Sequence, residues 1–174
     1  LYDIHKAKCP VFLFGAGIRG ARAEAARLAH LLGIPIALTW GAADCFDWRD
    51  GLVIGCTGTH ANRAPNFAMA NADLIVAVGC RLDTKTMGTG FPKAKLVYVD
   101  IDPAEMGKPA HRRYLMDAKT FLSAAIWNVE GVLQHEGSFP DFLQWQLRIN
   151  DWKRRYPVTS NAVYDLVSAI PKHQ

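Results

Sequence analysis

Val11-Phe12-Leu13-Phe14-Gly15-Ala16-Gly17-Ile18-Arg19-Gly20 decides the fold. Four apolar residues run straight into a G-x-G-x-x-G turn, and a helical pattern starts directly behind it. A short, continuous apolar run bounded by glycine reads as a strand buried on both faces. The glycines permit a tight turn and close approach of the backbone to an anion, which the free N–H groups at the helix start would receive. A plainer reading stands beside this one: many open α/β folds use such a turn only to fit helix against strand. Beyond the turn, Ala21, Ala25, Leu28, Ala29 and Leu32 share one helical face, with Arg22, Glu24, Arg27 and His30 elsewhere. Gly33 closes that helix and Pro35 prevents its resumption.

Working outward, Ile36-Ala37-Leu38-Thr39 reads as a second strand. Residues 40–61 carry acids and glycines and read as loop, with a short strand at Leu52-Val53-Ile54. Pro65 suits the first turn of a helix running through Ala72. Leu74 to Val78 and Leu96 to Val99 are further apolar runs, so the fold class is α/β: a three-layer, Rossmann-like domain of nucleotide-binding type around a mostly parallel sheet. Asp117 caps a helix carrying Phe121, Leu122, Ala125 and Ile126 on one side. A second helix, about Pro140 to Arg155, repeats Phe142, Trp145, Ile149 and Trp152 at helical spacing, and Tyr156-Pro157 breaks it. Asn161 to Ile170 reads as a short amphipathic helix. The expected organisation is a domain over 1–135, a helical linker over 136–157 and the opening of another domain over 158–174.

The chain has 174 residues, enough for one well-packed domain. No apolar stretch approaches a membrane span, and Leu1-Tyr2-Asp3-Ile4-His5 lacks the basic and apolar regions of a signal peptide. The missing initiator Met suggests that the chain begins inside a longer protein or has lost its leader. Cys9, Cys45, Cys56 and Cys80 are scattered, with neither C-x-x-C pairs nor zinc spacing, so reduced thiols, a cytoplasmic setting and no metal site are expected. The net charge of +4 is dispersed. Its densest run, Lys153-Arg154-Arg155, ends a helix where cations complement the dipole, so a nucleic-acid partner is not expected. Lys108, His111, Arg112 and Arg113 read as a solvated loop. Trp40, Trp48, Trp127, Trp145 and Trp152 read as packing residues of the core and of domain contacts.

A nicotinamide dehydrogenase needs an acid at the tip of its second strand, about 20 residues beyond the glycine turn, to bind ribose. Here that strand ends in Thr39-Trp40-Gly41, and the acid stands instead in Val99-Asp100-Ile101-Asp102. The displacement argues against a conventional dehydrogenase. Gly15-Ala16-Gly17-Ile18 resembles the opening turn of sirtuin-like deacylases, but their zinc-binding C-x-x-C pairs are absent. No nucleophile–base pair stands out, so no catalytic residue is assigned.

Seven pieces in order resemble the middle domain of thiamine-diphosphate-dependent enzymes, nearest to the acetolactate synthase group. They are Phe14-Gly15-Ala16-Gly17, Gly33-Ile34-Pro35, Leu38-Thr39-Trp40-Gly41, Gly58-Thr59-His60, Asn71-Ala72-Asp73-Leu74, Val78-Gly79-Cys80-Arg81-Leu82-Asp83 and Val99-Asp100-Ile101-Asp102-Pro103. Arg63-Ala64-Pro65-Asn66-Phe67 is similar to relatives in sugar-nucleotide pathways. The resemblance implies a three-domain parent, a homodimer or homotetramer, that decarboxylates a 2-oxo acid and transfers the acyl group. Thiamine diphosphate and Mg²⁺ would lie outside this chain, which has no Gly-Asp-Gly motif, and residues 158–174 would open the thiamine-binding domain. The resemblance further implies FAD or ADP in this domain. Gly15, Ala16 and Gly17 would approach the pyrophosphate. Thr39 and Gly58-Thr59-His60 would flank the flavin side. Gly79 and Arg81 would meet the pyrophosphate or ribityl chain, and Asp100 and Ile101 the adenosine ribose, with Asp117 near the adenine. The chain departs from the family pattern at Ala61, where glycine is usual, and at Leu82-Asp83-Thr84-Lys85. Plainer roles exist: Asp100 as a loop cap, Arg81 as partner of Asp83 or Asp100, His60 as a turn residue.

Overall fold

A computed structural model describes residues 1–87, 94–135 and 137–157. Six strands form one parallel sheet: β1 (Pro10–Phe14), β2 (Ile36–Leu38), β3 (Val53–Cys56), β4 (Leu74–Val78), β5 (Lys95–Asp100) and β6 (Arg112–Leu115), ordered β3-β2-β1-β4-β5-β6. β1 is central, with Phe12 opposite Ile36 on one side and Val76 on the other. Every residue of β1, β2 and β4 is buried, which is why these strands read as unbroken apolar runs.

The helices are α1 (Tyr2–Lys6), α2 (Arg22–Leu32), α3 (Arg63–Asn71), α4 (Thr84–Met87), α5 (Ala118–Gln134) and α6 (Leu143–Arg155). Strand order reverses at β1, so right-handed crossovers place α2 and α3 on opposite faces. α2 packs with α5, and α3 with α6, giving three layers. α2 buries Ala25, Leu28, Ala29 and Leu32, and ends where Gly33 takes φ 64° in a left-handed cap.

Several sequence expectations shift. The glycine motif from Ala16 on forms a 3-10 turn, Ala16–Ala21, and α2 therefore starts at Arg22. β3 runs over Val53–Cys56 rather than 52–54, displaced by a register irregularity opposite Ile36 and Ala37 and by Gly55 at φ 124°. The expected solvated loop at Arg112 and Arg113 is half correct. These residues are exposed, but they belong to β6, an edge strand whose Arg112 pairs with Asp3 at 2.8 Å. α1, which that ion pair helps to hold, was not anticipated. α6, read as a linker, buries Trp145, Ile149 and Trp152 in the same apolar cluster as β1. Trp145 Nε1 donates to the Pro10 carbonyl at 3.0 Å, and Phe67, Trp145, Trp152 and Tyr156 form an edge-to-face chain. Trp40, Trp48 and Trp127 are half or more exposed, so the packing reading holds within this domain for Trp145 and Trp152 only. The helix expected at Asn161 to Ile170 lies outside the described residues.

Asp73 illustrates a motif residue with a structural task. Its carboxylate accepts from Lys8 N at 2.7 Å and Cys9 N at 2.9 Å, fixing the start of β1 beside β4, at the end of the sheet remote from the glycine turn. Among the described residues no helix is long and apolar enough to cross a membrane.

Candidate functional site

Parallel strands deliver all their following loops to one end of the sheet, and reversal of strand order at β1 splays the loops apart there. A cleft of about 490 Å³ opens at that end, lined by residues that follow each of the six strands. It falls within the range usual for small-molecule sites. The sequence-assigned residues Ala16, Gly17, Thr39, Thr59, His60, Gly79, Arg81, Asp100, Ile101 and Asp117 all line it. Gly15 and Gly58 do not; they stand behind the wall and shape it.

The glycines have a specific explanation. Gly15 and Gly17 face the backbone of Gly79 so closely that an added Cβ would lie 2.3 Å and 2.7 Å from its nearest atoms. Gly79 takes φ 58°, and its own added Cβ would lie 2.8 Å from Gly17 Cα. Gly17 N donates to Gly79 O at 2.9 Å, and Gly15 N to Val78 O at 3.1 Å. The glycine motif is thus half of a backbone-to-backbone contact between the β1 and β4 loops, and the Gly17 N–H is already committed. Gly20 has open space around it, so the third glycine of the motif is not required for helix–strand packing.

Arg19, an unassigned position of the motif, forks onto Asp44 at 2.8 and 2.9 Å and donates to Gly41 O at 2.9 Å. This fastens the β2 loop to the β1 turn and leaves Trp40 at the rim of the cleft, 62 % exposed. The β3 turn is held by Asn66, whose amide binds both the N–H and the C=O of Gly58 at 2.9 Å. His60 Nδ1 lies 3.0 Å from Thr59 Oγ1, a side-chain contact within the turn.

At the other end, Asp100 Oδ1 accepts Asp102 N at 3.0 Å, leaving its second oxygen without a partner among the described residues. Asp117 caps α5 through Thr120 N at 3.0 Å while also lining the cleft. Arg81 forms no ion pair among the described residues; neither Asp83 nor Asp100 binds it. The buried Tyr98 hydroxyl donates between Glu105 Oε2 at 2.7 Å and the Cys80 carbonyl at 2.9 Å, fixing the peptide that leads into Arg81. Burial, then the Glu105 carboxylate, raises the Tyr98 phenol far above its ordinary range. Lys108 beside Glu105 lowers that carboxyl, so the network holds one clear charge pattern. Burial also pushes the Cys80 thiol far upward, keeping it protonated and inert in the cleft wall.

Sequence reasoning missed Trp40, Lys85 and Met116 as lining residues. Trp40 was legible as an aromatic beside Gly41, and Lys85 as a second cation four residues beyond Arg81. Met116 had no signal, because β6 had none.

The donor set has a definite chemistry: two cations, Arg81 and Lys85, with an exposed turn at Ala16-Gly17, then carboxylates at Asp100 and Asp117, and hydroxyls at Thr39 and Thr59. It fits a nucleoside diphosphate, with cations for phosphate and a carboxylate for ribose. Among the described residues no three His, Cys, Asp or Glu side chains group to hold a metal. A second groove of about 560 Å³ lies between α1, α2, α5 and the sheet, but it is largely apolar and its charges, Asp3 and Arg112, neutralise each other.

Residues 2–125 match the family described as thiamine pyrophosphate enzyme, central domain. The chain is 36 % identical over 161 residues to an acetolactate synthase large subunit of Parasynechococcus marenigrum, covering 90 % of this chain and 26 % of the relative. It is 34 % identical to acetolactate synthase of Mycobacterium avium and 33 % to the chloroplastic acetolactate synthase 1 of Zea mays, covering 90 and 91 % of this chain and 26 % of each relative. The chain therefore spans about a quarter of the length of the curated relatives it matches.

Proposed function

That the chain belongs to the thiamine pyrophosphate enzymes, as their central domain, is the premise from which we propose that it is the nucleotide-holding middle domain of a longer, acetolactate synthase-like enzyme. The parent decarboxylates a 2-oxo acid such as pyruvate and transfers the acyl group to an acceptor. Thiamine diphosphate and Mg²⁺ supply that chemistry from other domains of a homodimer or homotetramer, and this chain alone is inactive. FAD or ADP occupies the cleft here. Arg81 pairs with the diphosphate, which lies against the backbone of Ala16, Gly17 and Gly79, and Asp100 accepts hydrogen bonds from the ribose, with Ile101 and Asp117 beside the adenine. Thr39, Thr59 and His60 flank whatever extends beyond the diphosphate.

One observation carries this reading: loops from all six strands converge on a single cleft in which Arg81 and one oxygen of Asp100 lack partners among the described residues. Titration with FAD, ADP and NAD, followed by thermal shift, tests it. A ligand at 100 times its Kd stabilises by about 2.7 kcal/mol, a shift of several degrees at this size. FAD or ADP should stabilise and NAD should not. Absence of a Gly-Asp-Gly…Asn motif within a domain's length downstream in the parent would remove the catalytic part of the proposal.

A second reading has its own support. The glycine contacts already explain the motif without any ligand, which favours a purely structural spacer domain. No stabilisation by any of the three nucleotides would select it.

A further inference from the structure

The wall of the cleft under β3 is built by a side chain that does not itself line it. We infer that Asn66 is a positioning residue, holding Thr59 and His60 where the part of a dinucleotide beyond the diphosphate must pass. The inference rests on reading the cleft as a nucleotide site.

Asn66 stands in the first turn of α3, beside Pro65. Its Oδ1 accepts from Gly58 N at 2.9 Å and from Thr57 Oγ1 at 2.8 Å. Its Nδ2 donates to Gly58 O at 2.9 Å. One amide thus satisfies both backbone groups of Gly58 and the hydroxyl of Thr57, which is only 3 % exposed. The side chain acts here as a neighbouring strand would, at the point where β3 has left the sheet.

The turn is gripped from the opposite side as well. Gly58 takes φ 125°, and an added Cβ would lie 2.5 Å from Lys85 O. The same carbonyl accepts Thr59 N at 2.9 Å. Lys85 belongs to α4, whose start is tied by Thr86 N donating to Asp83 Oδ1 at 2.8 Å. The β3 turn is therefore tied to the β4 loop on one side and, through Asn66, to α3 on the other. Without that amide, the Gly58 N–H and the buried Thr57 hydroxyl lose their partners, Gly58 O keeps only Ala61 N at 3.2 Å, and the turn that carries Thr59 and His60 is held from the Lys85 side alone.

ADP spans only the adenosine and diphosphate end of the cleft, and FAD spans all of it, so the two ligands separate positioning from folding. Wild type, Asn66→Ala and Asn66→Asp are titrated with both by calorimetry. Asn66→Ala should bind FAD about tenfold or more weakly and ADP within about twofold of wild type. Asn66→Asp keeps the Oδ1 acceptor, loses the Nδ2 donor, and should fall between for FAD. Equal losses for both ligands, or no loss for either, would overturn the inference, as would a wild type that binds FAD no tighter than ADP. A wild type that binds neither nucleotide overturns the reading of the cleft first, and this inference with it.

Discussion

Gly79→Ala is the sharpest probe of how the cleft is built. At φ 58° an alanine pays a left-handed conformational cost of about 1 kcal/mol relative to glycine. Its Cβ would also meet Gly17 Cα at 2.8 Å, Gly17 C at 2.9 Å and Ile18 N at 3.1 Å, all backbone atoms that cannot swing aside. Overpacking of that kind adds about 1–3 kcal/mol. The sum, about 2–4 kcal/mol, lowers Tm by about 5–15 °C for a domain of this size. Gly20→Ala is the control, because nothing lies within 4 Å of its added Cβ and it needs no positive φ. It should change stability by less than about 0.5 kcal/mol. Urea and thermal unfolding followed by circular dichroism measure both. A Gly79→Ala variant melting within about two degrees of wild type, or a Gly20→Ala variant losing as much, would refute the loop-to-loop contact as the reason for the glycines.

Other outcomes follow from the same structure. Arg112 holds the Asp3 carboxyl below its ordinary value, so this pair stabilises above the unfolded carboxyl pKa of about 4 and its contribution is lost as pH falls through the lower, folded value. Asp3→Asn should therefore melt a few degrees below wild type at pH 7, with the two curves converging as pH falls through the lowered, folded carboxyl value. Trp145→Ala empties a buried site and strands the Pro10 carbonyl, and should lower stability by about 3–5 kcal/mol in urea unfolding; a negligible change would make α6 a linker rather than part of this core. Thiol titration at pH 8 should find Cys45, Cys56 and Cys80 slow in the native protein and all four cysteines reactive in urea, since burial raises these thiols and only Cys9 is part-exposed.

What the sequence disclosed follows burial. β1, β2, β4 and β5 were legible because buried parallel strands are written as unbroken apolar runs, and α2 because its stripe ends at Gly33. β6 was not, because Arg112, Arg113, Tyr114 and Leu115 all face solvent on an edge, where no burial pattern marks the pairing. α1 was too short to show a period, and it is held by the long-range ion pair from Asp3 to β6. Within the site, the glycine turn and Asp100 were visible as motif positions, but the reason for the glycines was not. It lies in contact between residues 15–17 and 79, which adjoin only after β1 and β4 have paired. Asn66 was visible as a residue and not as a clamp, since its partners depend on where α3 returns across the sheet.

The central claim is that the cleft at the strand ends holds a nucleoside diphosphate. Amide chemical-shift mapping of the isotope-labelled chain on addition of ADP tests it most directly. The account predicts saturable shifts concentrated at Ala16, Gly17, Gly79, Arg81, Asp100 and Ile101. Shifts confined to the groove beneath α1, or none at millimolar ADP, would contradict it.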